Sequence, residues 1–259
     1  MQVIVHGAAG HMGTQVISAL ERKGHAIAAL VDKSYETAMP GVSYPCYPSM
    51  QTCDQKADCV IDFSHHSATS RLLQWTVGHG VPVMIATTGH TEEEREEIVS
   101  ASCSVPVFLA ANMSLGVAVL TSLVRKAVRL FPDADIEIVE THHNRKLDAP
   151  SGTALALAEA IRKERTEVVL VCGRSGHQKR DKNEIGIHSI RMGNIVGIHE
   201  IHITTANEML TLKHEAFSRE VFADGAVLAA EFLCGKNKGL YTMEDFVQIG
   251  EPSKQGERK

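Results

Sequence analysis

The chain has 259 residues, 44% of them hydrophobic and 22% charged, enough for one large domain or two modest ones with a substantial buried core. Its formal net charge of −5 argues against a nucleic-acid binder, which draws on a basic excess. No apolar run nears the ~20 residues that span a bilayer, residues 1–5 read straight into a strand without a basic leader, and the six cysteines (46, 53, 59, 103, 172, 234) show no C-x-x-C pairing; the expectation is a cytoplasmic protein with no export signal, no membrane span and reduced, mostly buried thiols.

Residues 2–6 form a short apolar strand pattern, and residues 11–23 read as a helix after a glycine turn. A second apolar strand, 26–31, is ended by Asp32. Residues 59–63 and 81–86 read as buried strands with a helix at 67–78 between them, 92–102 as an acidic helix and 105–110 as a further strand. Strands alternating with helices predict parallel βαβ units and a doubly wound α/β sheet. The acidic run 92–97 is a solvated helix face.

After Asn112 the rhythm changes. A helix over 115–131 is stopped by Pro132, and 136–141 reads as a strand. An alanine-rich helix, 153–164, follows a polar loop. Residues 167–172, 184–192, 195–204 and 209–214 are four more strand patterns, whose β-branched alternation predicts a sheet with one exposed face. Residues 218–233 are helical with Ala223, Ala226, Ala229 and Ala230 along one face, and the tail (240–241, 246–247) returns to the first domain. The expected division is 1–112 plus 220–259 as one domain and 113–219 as an inserted α+β domain. The polar stretch 173–183 suggests a mobile or interface loop, and 252–259 is expected to fray.

Gly7-Ala8-Ala9-Gly10-His11-Met12-Gly13 follows a strand and opens a helix, the context in which a glycine fingerprint carries meaning. Gly7 permits the tight turn, the middle of the segment lets backbone amides approach a pyrophosphate at the helix N-terminus, and Gly13 lets helix pack on strand. Asp32, 19 positions after Gly13, can accept hydrogen bonds from an adenosine ribose. Lys33 beside it can neutralise a 2′-phosphate. The pair predicts NADH use, with NADPH tolerated, on a Rossmann-type sheet. Ala86-Thr87-Thr88-Gly89 and Ala110-Ala111-Asn112-Met113 fall at strand carboxyl ends, where ligands of such sheets bind, and are candidates to contact the nicotinamide half.

The loop 140–153 concentrates further chemistry. Pro150-Ser151-Gly152-Thr153 starts a helix whose terminus favours a carboxylate or phosphate, and Lys146 adds a full positive charge. His142 and His143 are adjacent, so an extended backbone aims them to opposite sides: one can face a ligand as an acid while the other braces or binds. Adjacent histidines with no third ligand at useful spacing argue against a metal site. His199 and His202, at i and i+3 of a strand, point to opposite faces and are poor ligands for a metal.

At these residues the chain resembles the dihydrodipicolinate reductases. The likeness rests on Glu140-x-His142-His143-x-x-Lys146-x-Asp148-Ala149-Pro150-Ser151-Gly152-Thr153-Ala154 and on the glycine segment 7–13, Thr87-Thr88-Gly89 and Asn112. It continues through Ile185-Gly186, Arg191-x-Gly193, residues 195–197 and the stretch 218–226, so it covers essentially the whole chain. The resemblance implies reduction of a cyclic, dianionic imine by NADH or NADPH, giving tetrahydrodipicolinate after loss of water, in lysine biosynthesis through diaminopimelate. It implies His142 as proton donor and Lys146 as its partner that also holds substrate. His143, Gly152 and Thr153 would bind the substrate carboxylates, with Ser151 close by. It further implies a homotetramer assembled through the sheet of the second, substrate-binding and oligomerisation domain, with no nucleic-acid or membrane partner. The sequence departs from the family pattern at Ala86, where a glycine is common, and at His65, where some members carry an arginine near the cofactor. The rival expectations are another amino-acid-pathway NAD(P) dehydrogenase of the same fold and a non-catalytic NAD-sensing regulator; the latter has no need of His142 and Lys146.

Overall fold

A computed structural model describes residues 1–39 and 41–248. The chain divides into two compact units, one formed by Met1–Ser114 with the segment from Glu220 onward, the other by Leu115–Arg219. Among the described residues no helix is long and apolar enough to cross a membrane.

In the first unit, β1 (Gln2–His6) leads through the glycine turn into α1 (His11–Arg22), then β2 (Ala26–Val31), a short α2 (Tyr35–Ala38) and the two-residue β3 (Cys46–Tyr47). β4 (Cys59–Asp62), α3 (Thr69–His79), β5 (Val83–Ile85), α4 (Glu92–Ser102) and β6 (Pro106–Leu109) follow. All these strands pair in parallel, in the order β3-β2-β1-β4-β5-β6. That is the doubly wound order of dinucleotide-binding sheets.

Alternation along β1 explains the two layers. Val3 and Val5 face one side, where they pack with Val16 and Leu20 of α1, while Ile4 faces the other and packs with Leu72, Trp75 and Ile98 of α3 and α4. All these side chains are buried, each contributing about 1.5–3 kcal/mol. The helix expected over 67–78 starts two residues later, because Ser67 lies in a 3-10 turn whose amide donates to the His65 ring. The acidic helix α4 begins where Thr91 and Glu94 cap one another reciprocally.

In the second unit α5 (Leu115–Leu130) precedes β7 (Asp135–His142), α6 (Gly152–Arg162) and the strands β8 (Val169–Cys172), β9 (Glu184–Arg191), β10 (Gly197–Thr204) and β11 (Met209–Ala216). They form a mixed sheet in the order β11-β10-β7-β9-β8, with β7 central, antiparallel to β10 and parallel to β9. One face carries Ile136, Ile138, Ile185, Ile187, Ile201 and Ile203, packed with Val124 of α5 and Leu157 and Ile161 of α6. The polar segment 173–183 is tied down: Arg180 donates to Asp135, Glu137 and the carbonyls of Ile136 and Glu184.

The chain re-enters the first unit with α7 (Glu220–Leu233), β12 (Gly239–Tyr241) and α8 (Met243–Gln248). β12 adds to the edge of the first sheet beside β6, a strand the sequence pattern did not reveal. Ala223, Ala226, Ala229 and Ala230 are fully buried against Val3, Val5 and Met84. Gly225 lies against the Met113 carbonyl, where a Cβ would come within 1.8 Å of the oxygen. The segment 252–259, expected to fray, lies outside the described residues.

Candidate functional site

The glycine turn of the first unit is built to bring a ligand to backbone. Gly7 has φ +80°, and a Cβ there would lie 2.6 Å from the Phe63 carbonyl. At Gly13 a Cβ would meet the Gly7 oxygen at 2.2 Å, so α1 packs on the turn only because this residue has no side chain. Gly10 is less constrained, its nearest neighbour being 3.2 Å away. The amides of Gly7 and Ala8 donate to the Val31 carbonyl, that of Gly10 to the Gly7 carbonyl, and that of Ala9 to Asp32. α1 itself has no side-chain cap, so its first-turn amides, those of His11 and Met12 among them, are not occupied by a capping side chain and could receive an anion. Ala8, expected at the ligand, has its side chain in the core.

These residues open onto a groove of about 520 Å³, within the size range of ligand pockets. Gly10, His11, Met12, Ala86, Thr87, Thr88, Ala111, Asn112 and Met113 line it, all at the carboxyl edge of the parallel strands. Phe63, Ser64 and Phe222 also line it and were not foreseen. The glycine turn, the uncapped helix and the groove together fit a dinucleotide cofactor. Asp32 stands at the end of β2 and Lys33 beside it is exposed. The Asp32 carboxylate accepts from the amides of Ala9 (3.2 Å) and Ser34 (2.8 Å), so it shapes the glycine turn as well as presenting its remaining lone pairs. Ala110 follows β6 at the same edge.

Beneath the groove sits a buried polar network. The Asp62 carboxylate receives the Thr87 hydroxyl at 2.7 Å and the Ser64 amide at 3.1 Å, with His6 Nδ1 2.8 Å away. Burial pushes the Asp62 carboxyl up, but these three partners outweigh it and hold it below the usual range.

In the second unit, strand alternation carries the chemistry. The inward face of β7 reads Ile136, Ile138, Glu140, His142, so the row that builds the core turns polar at the strand's carboxyl end. Register sets His199 of β10 opposite Glu140 and Arg191 of β9 opposite His142. Glu140 is fully buried. It accepts from His142 Nδ1 at 2.6 Å, from both terminal nitrogens of Arg191 at 2.8 Å, and from the Ser151 amide at 3.1 Å. Burial alone would raise its carboxyl; Arg191, Ser189, His142 and the Ser151 amide overcome this and bring it to about 2.

Ser151 caps α6, its hydroxyl accepting from the Ala154 amide, and the same hydroxyl lies 3.2 Å from His199 Nε2. The His199 ring meets that of His142 edge-on, with centroids 5.2 Å apart. Only 4% exposed, His199 is driven by burial, and then by His142, down to about 4. His142 is also lowered, by burial first; Glu140 opposes the shift, while Lys146 and Arg191 add to it. His143 lies one residue past the end of β7 and is half-buried, its ring lowered by burial and by Arg145, Arg219, His142 and Lys146. Lys146 Nζ lies 2.9 Å from Asp148. Gly152, the first residue of α6, is exposed and a Cβ there would meet no heavy atom within 4 Å; Thr153 follows it, half-buried.

The sequence-predicted residues His142, Ser151, Gly152 and Thr153 therefore gather at one end of β7 and α6, with Lys146 on the loop between. Glu140, Arg191 and His199 belong to the same cluster and were assigned no role from the sequence. The arrangement offers a buried acid–base imidazole beside a helix N-terminus and cations, the equipment for protonating an anionic ligand.

Family models for the dihydrodipicolinate reductase N-terminus and C-terminus match residues 1–113 and 116–247. The 4-hydroxy-tetrahydrodipicolinate reductase of Caldanaerobacter subterraneus subsp. tengcongensis is 46% identical over 255 residues, covering 96% of this chain and 99% of that protein. Its counterpart from Clostridium novyi is 43% identical over 250 residues, covering 95% and 98%. Among solved structures, a dipicolinate-bound dihydrodipicolinate reductase from Paenisporosarcina sp. TG-14 shares the fold with a TM-score of 0.80 at 23% identity, covering 93% of this chain and 97% of that one. With both halves matched and identity above 40% over nearly its full length, this chain belongs to the dihydrodipicolinate reductase family.

Proposed function

We propose that this chain reduces 4-hydroxy-tetrahydrodipicolinate to tetrahydrodipicolinate, with loss of water and at the expense of NADH or NADPH, on the diaminopimelate route to lysine. The observation that carries the reading is His142: a buried imidazole held at the carboxyl end of β7, next to the exposed N-terminus of α6. Reduction of a conjugated imine places negative charge on the ring being reduced. In this reading a proton from His142 and the ammonium of Lys146 meet that charge. His143, the cap residue Ser151, and Gly152 and Thr153 at the helix start are assigned to the two substrate carboxylates. When bound, the nicotinamide supplies the two electrons and one hydrogen of the reduction. Gly7, Gly10, His11, Met12 and Asp32 would hold the cofactor's diphosphate and ribose, and Ala86–Thr88 with Ala110–Met113 its nicotinamide end.

The NADH-specific side of the reading rests on Asp32, whose carboxylate disfavours a 2′-phosphate, and the NADPH-tolerant side on exposed Lys33 beside it. We assign NADH as the preferred donor, with NADPH accepted; the ratio of kcat/KM for the two decides it. A cytoplasmic homotetramer belongs to the same reading. It is supported by the family resemblance and by exposed Met209 and Phe217 in the second unit, and sedimentation tests it.

The function is tested by following NADH oxidation with freshly generated substrate. Lys146→Ala is expected to collapse turnover while NADH binding, read by fluorescence, stays near the wild-type value. Well-folded wild-type protein that does not turn over would end the enzymatic assignment, and loss of NADH binding in the variant would mean that the loop is misassigned.

A further inference from the structure

The Glu140 carboxylate does more than neutralise a cation. Held near pKa 2 it is an anion at every working pH, and an anionic carboxylate can only accept. The 2.6 Å contact to His142 Nδ1 therefore requires a proton on that nitrogen. Arg191 grips both carboxylate oxygens from the neighbouring strand and also donates to the Asp148 carbonyl, so the acceptor cannot swing away. Nε2 is left as the exchangeable nitrogen. It faces Gly197 at the start of β10, where a Cβ would lie 3.1 Å from it. A side chain there would cover the one atom that can pass a proton.

We propose that Glu140, clamped by Arg191, is a positioning residue for the reaction: it fixes the proton of His142 on Nδ1 and directs all proton exchange through Nε2, which Gly197 keeps uncovered. This deepens the assignment of His142 as the acid and rests on it. In the step, the Nε2–H bond of the imidazolium breaks, its electron pair stays on nitrogen, and the proton goes to the substrate atom bearing the electron pair delivered by reduction. The Nδ1–H bond to Glu140 is unchanged throughout. The charged and titratable groups facing His142 are Glu140 on its own strand, Arg191 on β9, His199 on β10, and Lys146 on the loop, the last paired with Asp148. Of these only Glu140 and Asp148 are anionic, and only Glu140 touches the ring, so it is the group that raises the His142 imidazole against burial, Lys146 and Arg191.

The test uses Glu140→Gln, Gly197→Ala and His142→Asn in the full-length protein. Long-range ¹H–¹⁵N spectra of the ligand-free protein, with His142 assigned through its asparagine variant, are expected to show the Nδ1–H tautomer in wild type and its loss in Glu140→Gln. In the same variant the limb of the kcat profile that falls with rising pH should move to lower pH by about one unit or more, with NADH binding retained. Gly197→Ala should lower kcat at least tenfold without moving that limb. A wild-type Nε2–H tautomer, or a Glu140→Gln profile that drops uniformly without shifting, overturns the proposal while leaving His142 as the acid. A limb that survives in His142→Asn removes the acid assignment, and the positioning role with it.

Discussion

Gly152→Ala separates a residue kept for the fold from one kept for a ligand. The position is the first of α6, its backbone is not left-handed, and the added methyl would touch no heavy atom of the protein within 4 Å. Folding stability should therefore hold or rise by up to about 1 kcal/mol, since alanine has less backbone freedom to lose. The cost falls on whatever approaches the helix N-terminus. A carboxylate displaced from one charge-assisted hydrogen bond loses about 1.5–3 kcal/mol, or roughly 10- to 150-fold in kcat/KM. Because the methyl lies in the second unit, NADH binding should be unaffected. Thermal melts, an NADH fluorescence titration and steady-state kinetics on the same preparation give all three quantities. Unchanged kcat/KM would show that no substrate group seats at Gly152. A stability loss above about 1 kcal/mol would show that the glycine serves the fold after all.

The buried His199 makes stability depend on pH in a defined window. The unfolded chain takes up its proton near 6.5, the folded protein only near 4, so this stabilisation is complete above 6.5 and drains away as pH falls through 4, by about 3 kcal/mol in all. Urea denaturation of wild type and His199→Gln between pH 7 and 4 should show a difference that changes across that window; a constant difference would refute the neutral imidazole. In the first unit, Gly13→Ala puts a methyl 2.2 Å from the Gly7 oxygen and should cost about 1–3 kcal/mol of stability together with NADH binding. Gly10→Ala, whose methyl would stand 3.2 Å from the same oxygen, a tight contact rather than a clash, should lose less stability than Gly13→Ala while also losing affinity, and equal stability losses in the two variants would contradict the packing argument.

Local periodicity made much of this fold legible. β1, β2 and α4 have the bounds read from the sequence, because apolar runs bounded by glycine or a capping pair leave little choice. β3 and β12 were missed: two or three residues carry no period, and their pairing is decided by the sheet edges they meet. The place of His142 on the same row as Ile138 and Glu140 follows from strand alternation and could be seen in advance. The partners of His142 could not. Arg191 lies 51 residues along the chain from Glu140, and only the β7–β9 and β7–β10 registers bring Arg191 and His199 to it. Asp32 shows the complementary limit, since its spacing marks a ribose ligand while its bonds to the Ala9 and Ser34 amides are a matter of turn geometry.

The contact between Gly225 and the Met113 carbonyl bears on how this polypeptide can be cut and rejoined. The chain departs from the first unit just after Met113 and is back in it by Glu220, and bare backbone at Gly225 lets α7 press directly on the point of departure. A short linker could thus replace everything between, at little loop-closure cost, yielding a minimal polypeptide that keeps both the glycine turn and Phe222 of the groove. A product ending before α7 has no such prospect. It lacks Ala223, Ala226, Val227, Ala230 and Leu233, and the face of the parallel sheet that carries Val3, Val5 and Met84 keeps only the cover that α1 gives it.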